Sequence, residues 1–252
     1  PPSQGTTHTE KSMYCVELSL GWRFIGMTKD VIPIFVGLDS KEIVAYHALC
    51  QSIIDRTSVP VSFTPISLKS LGGLYTRQRN TMESTEFSFS RFLVPYLSGY
   101  KGWSIFMDCD MLARADLAEL WALRDEHYAA MVCKHDYAPK EEVKFLGQVQ
   151  TRYEKKNWSS MILFNNARCN ALTPEYVNTR SGLELHQFKW LAGDHEIGSI
   201  PVGWNYLVGV YDYDPAAKLV HYTEGGPYFR DYTTCDYADD WFTVRERVNH
   251  AA

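Results

Sequence analysis

Two carboxylates one residue apart, Asp108 and Asp110, directly follow the apolar run Trp103-Ser104-Ile105-Phe106-Met107. A short apolar run of this kind reads as a buried strand, and the carboxyl ends of core strands are where open α/β sheets bind ligands. Period-two alternation turns both side chains the same way if strand geometry continues through Cys109. Like charges held side by side repel, and taking them out of water costs further free energy. A divalent cation offsets both costs, and oxygen ligands suit magnesium or manganese. The alternative is that one carboxylate caps the following helix while the other is solvated. A third candidate ligand lies far along the chain, in Leu219-Val220-His221-Tyr222-Thr223-Glu224-Gly225-Gly226-Pro227. An imidazole at a strand end can complete a site begun by two carboxylates. Gly225 and Gly226 would let backbone approach a phosphate closely. The plainer readings are a hydrogen-bonded structural histidine and a simple turn.

These residues need elements to hold them. Residues 32–38 read as a first buried strand ending at Asp39-Ser40. Ser40 is a good N-cap, and Ile43, His47, Cys50 and Ile54 recur at helical spacing after it. Residues 59–68 read as a second strand, which Pro60 and Pro65 place near an edge. A polar, Gly-containing loop with Arg77 and Arg79 follows, then a helical stretch over 87–97 that Pro95 must kink or end. After the Asp-x-Asp come a short helix near 117–123 and a strand over 128–134. The highly charged stretch 135–157 reads as a mobile surface segment. A short strand over 161–164, helices opening at Pro174-Glu175 and spanning 183–191, and a late strand over 218–223 complete the pattern. Alternating strands and helices predict an α/β fold, a mainly parallel mixed sheet with helices on both faces.

Composition bounds the function. The 252 residues are 45% hydrophobic and 22% charged, an ordinary globular balance. A formal net charge of -5 argues against bulk electrostatic binding to nucleic acid. None of the six cysteines is spaced as Cys-x-x-Cys, and several sit in apolar stretches, which points to free thiols in a reducing compartment such as the cytoplasm. No run reaches the length of a membrane span, which leaves room for peripheral membrane association. The chain opens on Pro1 rather than Met, so processing or a missing upstream segment stays open. Residues 1–30 read as an N-terminal tail or extension and 31–245 as one domain.

Three stretches resemble the GT-A-fold glycosyltransferases, most closely the family 8 type that includes bacterial lipopolysaccharide galactosyl- and glucosyltransferases and glycogenin. They are Phe35-Val36-Gly37-Leu38-Asp39-Ser40, the span from Phe89-Ser90-Arg91-Phe92-Leu93 to Asp108-Cys109-Asp110-Met111-Leu112, and His221-Tyr222 with the glycines and Pro227. The order and rough spacing fit across residues 32 to about 230. The resemblance implies that Asp108, Asp110 and His221 hold a manganese or magnesium ion bridging the diphosphate of a UDP-sugar donor. It implies that Gly37 and Asp39 hold base and ribose, and that Arg91 lies near donor sugar and phosphates. Ser160, in the segment before Met161-Ile162-Leu163-Phe164-Asn165, falls where the family lines its sugar site, although the family's Asn-Ala-Gly pattern is replaced. His186 and Gln187 resemble loosely the region near the anomeric carbon, with Asp194 and Glu224 as further polar neighbours. The family's lysine after the late glycine is Gly226 here, which leaves Arg77, Arg79 or Arg230 as cations for the diphosphate.

The implied activity is metal-dependent transfer of a hexose from a nucleotide-diphosphate sugar to an acceptor, with retention. The acceptor is a carbohydrate, lipid-linked or other molecule, and Tyr137 and Tyr153 in the charged stretch are candidates for shaping its site. The alternatives are a sugar nucleotidyltransferase, against which Gly37-Leu38-Asp39-Ser40 lacks a Gly-rich phosphate loop, and a catalytically inactive sugar-nucleotide-binding protein.

Overall fold

The computed structural model of the protein describes residues 31–79, 83–136, 143–144, 148–149 and 154–249, with 143–144 and 148–149 as backbone only. The expected N-terminal tail, Cys15, Tyr137, Tyr153 and most of the charged stretch lie outside the described residues. Strand β1 is Ile32–Gly37, helix α1 Ile43–Ile54, β2 Val61–Ile66 and the short α2 Leu68–Leu71. A 3-10 turn over Ser90–Leu93 leads into α3, Val94–Leu97, with a proline in the first turn, where its missing N–H costs nothing. Pro95 thus starts a helical turn within the expected helix rather than ending one. Strands β3 (Trp103–Met107) and β4 (Met111–Ala113) flank the Asp-x-Asp turn. Then come α4 (Leu117–Trp121), β5 (Ala130–Cys133), the paired β6 (Val143–Lys144) and β7 (Gln148–Val149), and β8 (Met161–Asn165). Helices α5 (Pro174–Thr179) and α6 (Gly182–His186), strands β9 (Ile197–Ile200), β10 (Tyr206–Leu207) and β11 (Leu219–His221), and α7 (Ala238–Asn249) complete the order.

The central sheet runs β2-β1-β3-β8-β5-β9. Every neighbouring pair is parallel except the two that involve β8, which runs antiparallel between β3 and β5. Strand β2, which carries Pro65, is an edge strand, where a missing N–H is tolerated. All five residues of both β3 and β8 are buried, as expected of strands covered on both faces. A second sheet, β10-β11-β4, pairs β11 antiparallel with β4 so that His221 stands opposite Met111.

Helix α1 corrects the expected register. Its buried stripe is Ala45, Ala48, Leu49, Ser52 and Ile53, while Ile43 and Ile54 are half exposed. Small residues let it lie close on β4, where the Ser52 hydroxyl accepts from Ala113 N at 3.0 Å and donates to Leu49 O at 2.7 Å. Ser40 does not cap the helix, since the residue before Ile43 is Glu42, and the Ser40 hydroxyl instead donates to Glu86 at 2.6 Å. Helix α6 carries a Ser181/Glu184 capping box and ends at His186, shorter than expected, because Phe188 takes a left-handed φ of 59°. Helix α7, too polar to read as an amphipathic helix, buries Ala238, Trp241 and Val244 and packs against α1.

Candidate active site

The main chain leaves β3 at Met107 and turns through residues 108–110 before β4 begins. The β3–β8 ladder sets Met107 opposite Met161, and Asp108 N extends it by donating to Ser160 O at 2.9 Å. On the other side of the turn, Tyr222 N donates to Asp110 O at 2.9 Å, continuing the pairing of β11 with β4. Two ladders therefore fix one short turn, and the second carries His221 to it. The ligand atoms of Asp108, Asp110 and His221 all lie within 4.8 Å of one another. Two carboxylates and an imidazole form a donor set that suits manganese or magnesium, so the residues fit a divalent ion on chemistry and on separation.

The surroundings concentrate negative charge. Arg91, itself buried, places Nη1 2.8 Å from Asp108 and 2.9 Å from Ser159 O, and its Nε donates to Ser88 O at 3.1 Å. It braces Asp108 from behind while its guanidinium lies over the Phe87 and Phe106 rings. Glu42, which sequence reasoning passed over, accepts from the Tyr228 hydroxyl and the Cys109 thiol, both at 3.4 Å. Burial and then the charges of Asp110 and Asp39 push its carboxyl up to about 8. Burial, with Glu42 and Asp110 next, also pushes the Cys109 thiol and the Tyr228 hydroxyl well up. A proton held on Glu42 at neutral pH marks a pocket whose field favours an added cation.

A chain of buried polar groups reaches His221 from the other side. Its Nδ1 lies 3.0 Å from Asn205 Oδ1, and its Nε2 3.3 Å from Asp110 Oδ1. Asn205 Nδ2 contacts His135 Nε2 at 3.0 Å, Ser160 Oγ at 2.8 Å and Asn157 O at 3.2 Å. His135 Nδ1 meets the Tyr211 hydroxyl at 2.7 Å. Burial and then His221 hold His135 down to about 4, so it is neutral at ordinary pH. Neither Asn205 nor His135 belongs to a recognisable spacing with the aspartates.

The remaining sequence candidates divide. Asp39 is buried, its carboxylate accepting from Lys41 N at 2.9 Å and Glu86 N at 3.0 Å, which locks the turn after β1. A Cβ on Gly37 would stand 2.4 Å from the Phe87 ring, and one on Gly226 2.3 Å from Tyr228, so both glycines are needed for close packing. Gly225 has φ 135°, open to glycine at little cost. Ser160 meets the site through its backbone to Asp108 and its hydroxyl to Asn205. His186 and Asp194 are not among the ligand atoms that gather with Asp108, Asp110 and His221. His186 sits between Phe89 and Phe92 with Nδ1 2.7 Å from Ser159 Oγ, and burial, then Arg91 and Arg77, hold it down to about 3. Lys155 ties Gln187 to Asp194, reaching Gln187 O at 3.0 Å and Asp194 at 2.5 Å. Arg77 is committed to Val177 O and Arg180 O at the end of α5, and Arg79 to Glu86 at 3.7 Å. Arg230 is exposed.

Over 230 residues the chain is 51% identical to "Protein CDI" of Arabidopsis thaliana, covering 88% of each. The chain belongs to the Protein CDI family. No protein-family model matches it. Among solved structures the fold of this Protein CDI relative is similar to the WbbM bifunctional glycosyltransferase, with a TM-score of 0.61 at 15% identity. That match covers 86% of this chain and only half of the WbbM chain. It is also similar to the galactosyltransferase LgtC, solved with donor and acceptor sugar analogs, with a TM-score of 0.56 at 11% identity over 88% of this chain and 98% of that one. A third match is the glycosyltransferase GlyE of Streptococcus pneumoniae, with a TM-score of 0.57 at 12% identity over 86% of this chain and 60% of that one. The fold is therefore the GT-A glycosyltransferase fold, resembling family 8. Among the described residues no helix is long and apolar enough to cross a membrane.

Proposed function

We propose that the protein is a metal-dependent glycosyltransferase that moves a hexose from a nucleotide-diphosphate sugar, a UDP-sugar, to an acceptor hydroxyl with retention of configuration. The observation that carries this reading is the convergence of Asp108, Asp110 and His221 within 4.8 Å at the carboxyl end of β3 in a GT-A fold. Those three would hold manganese or magnesium, which when bound supplies Lewis-acid stabilisation of the negative charge on the departing nucleoside diphosphate. The protein's own contribution is position and charge. Arg91 fixes Asp108 against β8, Asn205 fixes His221, and the packing of Gly37 on Phe87 with the locked Asp39 turn shapes the end of β1, where base and ribose would lie. Gly225 and Gly226 offer backbone to the diphosphate. Of the sugar-side candidates, His186 lies against the Phe89 and Phe92 rings, Gln187 is half-buried, and Asp194, paired with Lys155, is the most exposed at 71%. The catalytic unit would be residues 31–245. Cys50, Cys109, Cys133, Cys169 and Cys235 are free thiols, which supports a reducing, cytoplasmic setting.

The test is a thermal-shift screen of nucleoside diphosphates and sugar nucleotides with and without manganese, followed by an assay for transfer or donor hydrolysis. UDP at a hundredfold its Kd, with manganese, should raise Tm by about 5–10 °C, and a UDP-sugar should release UDP. Pyrophosphate release from a nucleoside triphosphate and a sugar phosphate would identify a nucleotidyltransferase instead. Tight donor binding with neither hydrolysis nor transfer would identify an inactive binding protein. No manganese uptake in the presence of any nucleoside diphosphate would end the metal-dependent reading.

A further inference from the structure

We infer that Asn205 is a positioning residue for the metal site, fixing the His221 ring as the tautomer whose Nε2 lone pair faces the carboxylates. The inference rests on the metal-binding reading above and adds a residue that neither the sequence pattern nor the fold comparison assigns.

The argument is one of hydrogen-bond direction. Asn205 is fully buried, and the two ends of its amide have different neighbours. One end lies 3.2 Å from the carbonyl of Asn157, which can only accept. The same end lies 2.8 Å from Ser160 Oγ, whose proton is already given to Asn157 O at 2.6 Å, so this hydroxyl accepts too. That end must therefore be the NH2, and the carbonyl end is the one 3.0 Å from His221 Nδ1. An amide oxygen cannot donate, so the proton on Nδ1 belongs to His221. In the neutral ring Nε2 then carries the lone pair, and it lies 3.3 Å from Asp110 Oδ1. Two electron-rich atoms facing each other call for a positive charge between them, which a shared divalent ion supplies. The two N–H groups of that end are shared among three neighbours, Asn157 O, Ser160 Oγ and His135 Nε2 at 3.0 Å, and with Nε2 accepting, the His135 Nδ1 proton faces the Tyr211 hydroxyl. The acceptor-only carbonyl of Asn157 fixes the sense of the row. Aspartate at position 205 would satisfy His221 but set a carboxylate against the Asn157 carbonyl and leave His135 without a donor. Alanine would satisfy neither. Ring orientation and tautomer set by such partners are worth about 10–100-fold in metal affinity at well-studied sites.

Two measurements test this. Nitrogen-15 NMR of the His221 ring in metal-free protein at pH 8.5 should show the proton on Nδ1 in the wild type and in Asn205→Asp, and an interchanging mixture in Asn205→Ala. Manganese affinity in the presence of UDP, read from the electron paramagnetic resonance of free Mn2+, should fall about 10–100-fold in Asn205→Ala. A wild-type ring protonated on Nε2 overturns the inference, as does an Asn205→Ala protein with unchanged tautomer and unchanged affinity. Should Asn205→Ala fail to fold, the wild-type and Asn205→Asp spectra still decide between the tautomers. A wild type that takes up no manganese defeats the metal reading, while the ring spectrum separately reports whether Asn205 orders the histidine.

Discussion

Glu42→Gln should stabilise the metal-free protein, and by more as pH rises. Burial and the charges of Asp110 and Asp39 push the Glu42 carboxyl from 4.5 up to about 8. Between those values the unfolded chain has lost this proton and the folded chain retains it. The unfolded state then binds fewer protons than the folded one, so stability falls with increasing pH over this window. Below about 4.5 both states are protonated and the penalty is absent. Above about 8 both are ionised and the penalty is complete. Each pH unit in the window costs on the order of 1 kcal/mol, so from pH 5 to pH 7 this one carboxyl removes roughly 2–3 kcal/mol. Glutamine has the shape of the protonated acid, keeps an acceptor for the Tyr228 hydroxyl and titrates nowhere in the range. Urea denaturation of both proteins in chelator, at each pH from 5 to 9, isolates the carboxyl by difference. The stability gap should widen by about 3–4 kcal/mol up to pH 8 and then stay level. A gap that stays constant across the window would refute the claim that the acidic cluster holds a proton on Glu42. The same proton gives a second readout. A bound divalent ion favours the ionised form, so manganese with UDP at pH 7 should release about one proton from the wild type and none from Glu42→Gln, measured by calorimetry in buffers of different ionisation enthalpy.

Three further outcomes follow from the geometry. Asp110→Asn should lower transfer by about two to three decades or more, because losing a charged ligand removes several kcal/mol of leaving-group stabilisation, and steady-state kinetics with added manganese checks it. Arg91→Met should destabilise by about 3–5 kcal/mol by leaving the Asp108 carboxylate buried without its 2.8 Å partner, and Arg91→Met/Asp108→Asn should recover part of that loss in a denaturation cycle. Gly37→Ala should cost about 1–3 kcal/mol, since the new Cβ meets the Phe87 ring at 2.4 Å, and Phe87→Leu in the same chain should relieve it, both read from urea midpoints.

The strands that build the site were legible because their signals are local. The apolar run before Asp108 reads as a buried strand whatever surrounds it, and Pro60 and Pro65 favour an edge position for β2, although the interior strand β1 accommodates Pro33. Helix α1 was legible as a helix but not in its facing. Its exposed ends carry isoleucine while its buried stripe mixes Ala45, Ala48 and Ser52 with Leu49 and Ile53, so close approach to β4 as well as hydrophobicity decides which side goes in. Helix α7 was not legible, because its burial rests on a few residues such as Trp241 packed on α1 within a charged sequence. Arg91 was legible as a cation near the site, and its commitment to Asp108 and the Ser159 carbonyl was not.

By itself the sequence determined the chemical types: two carboxylates at the end of a core strand, an imidazole after a late one, and glycines beside both turns. These are properties of short segments, set by side-chain chemistry and by the period of the backbone. Only the tertiary structure decided that the imidazole meets the carboxylates, that Asn205 orients it and that Glu42 shares their charge. The physical reason is that a ladder of antiparallel hydrogen bonds between β4 and β11 sets His221 opposite Met111 and beside Asp110. Pairing between distant segments depends on which edges the folded core leaves to be matched, and no local pattern specifies that register.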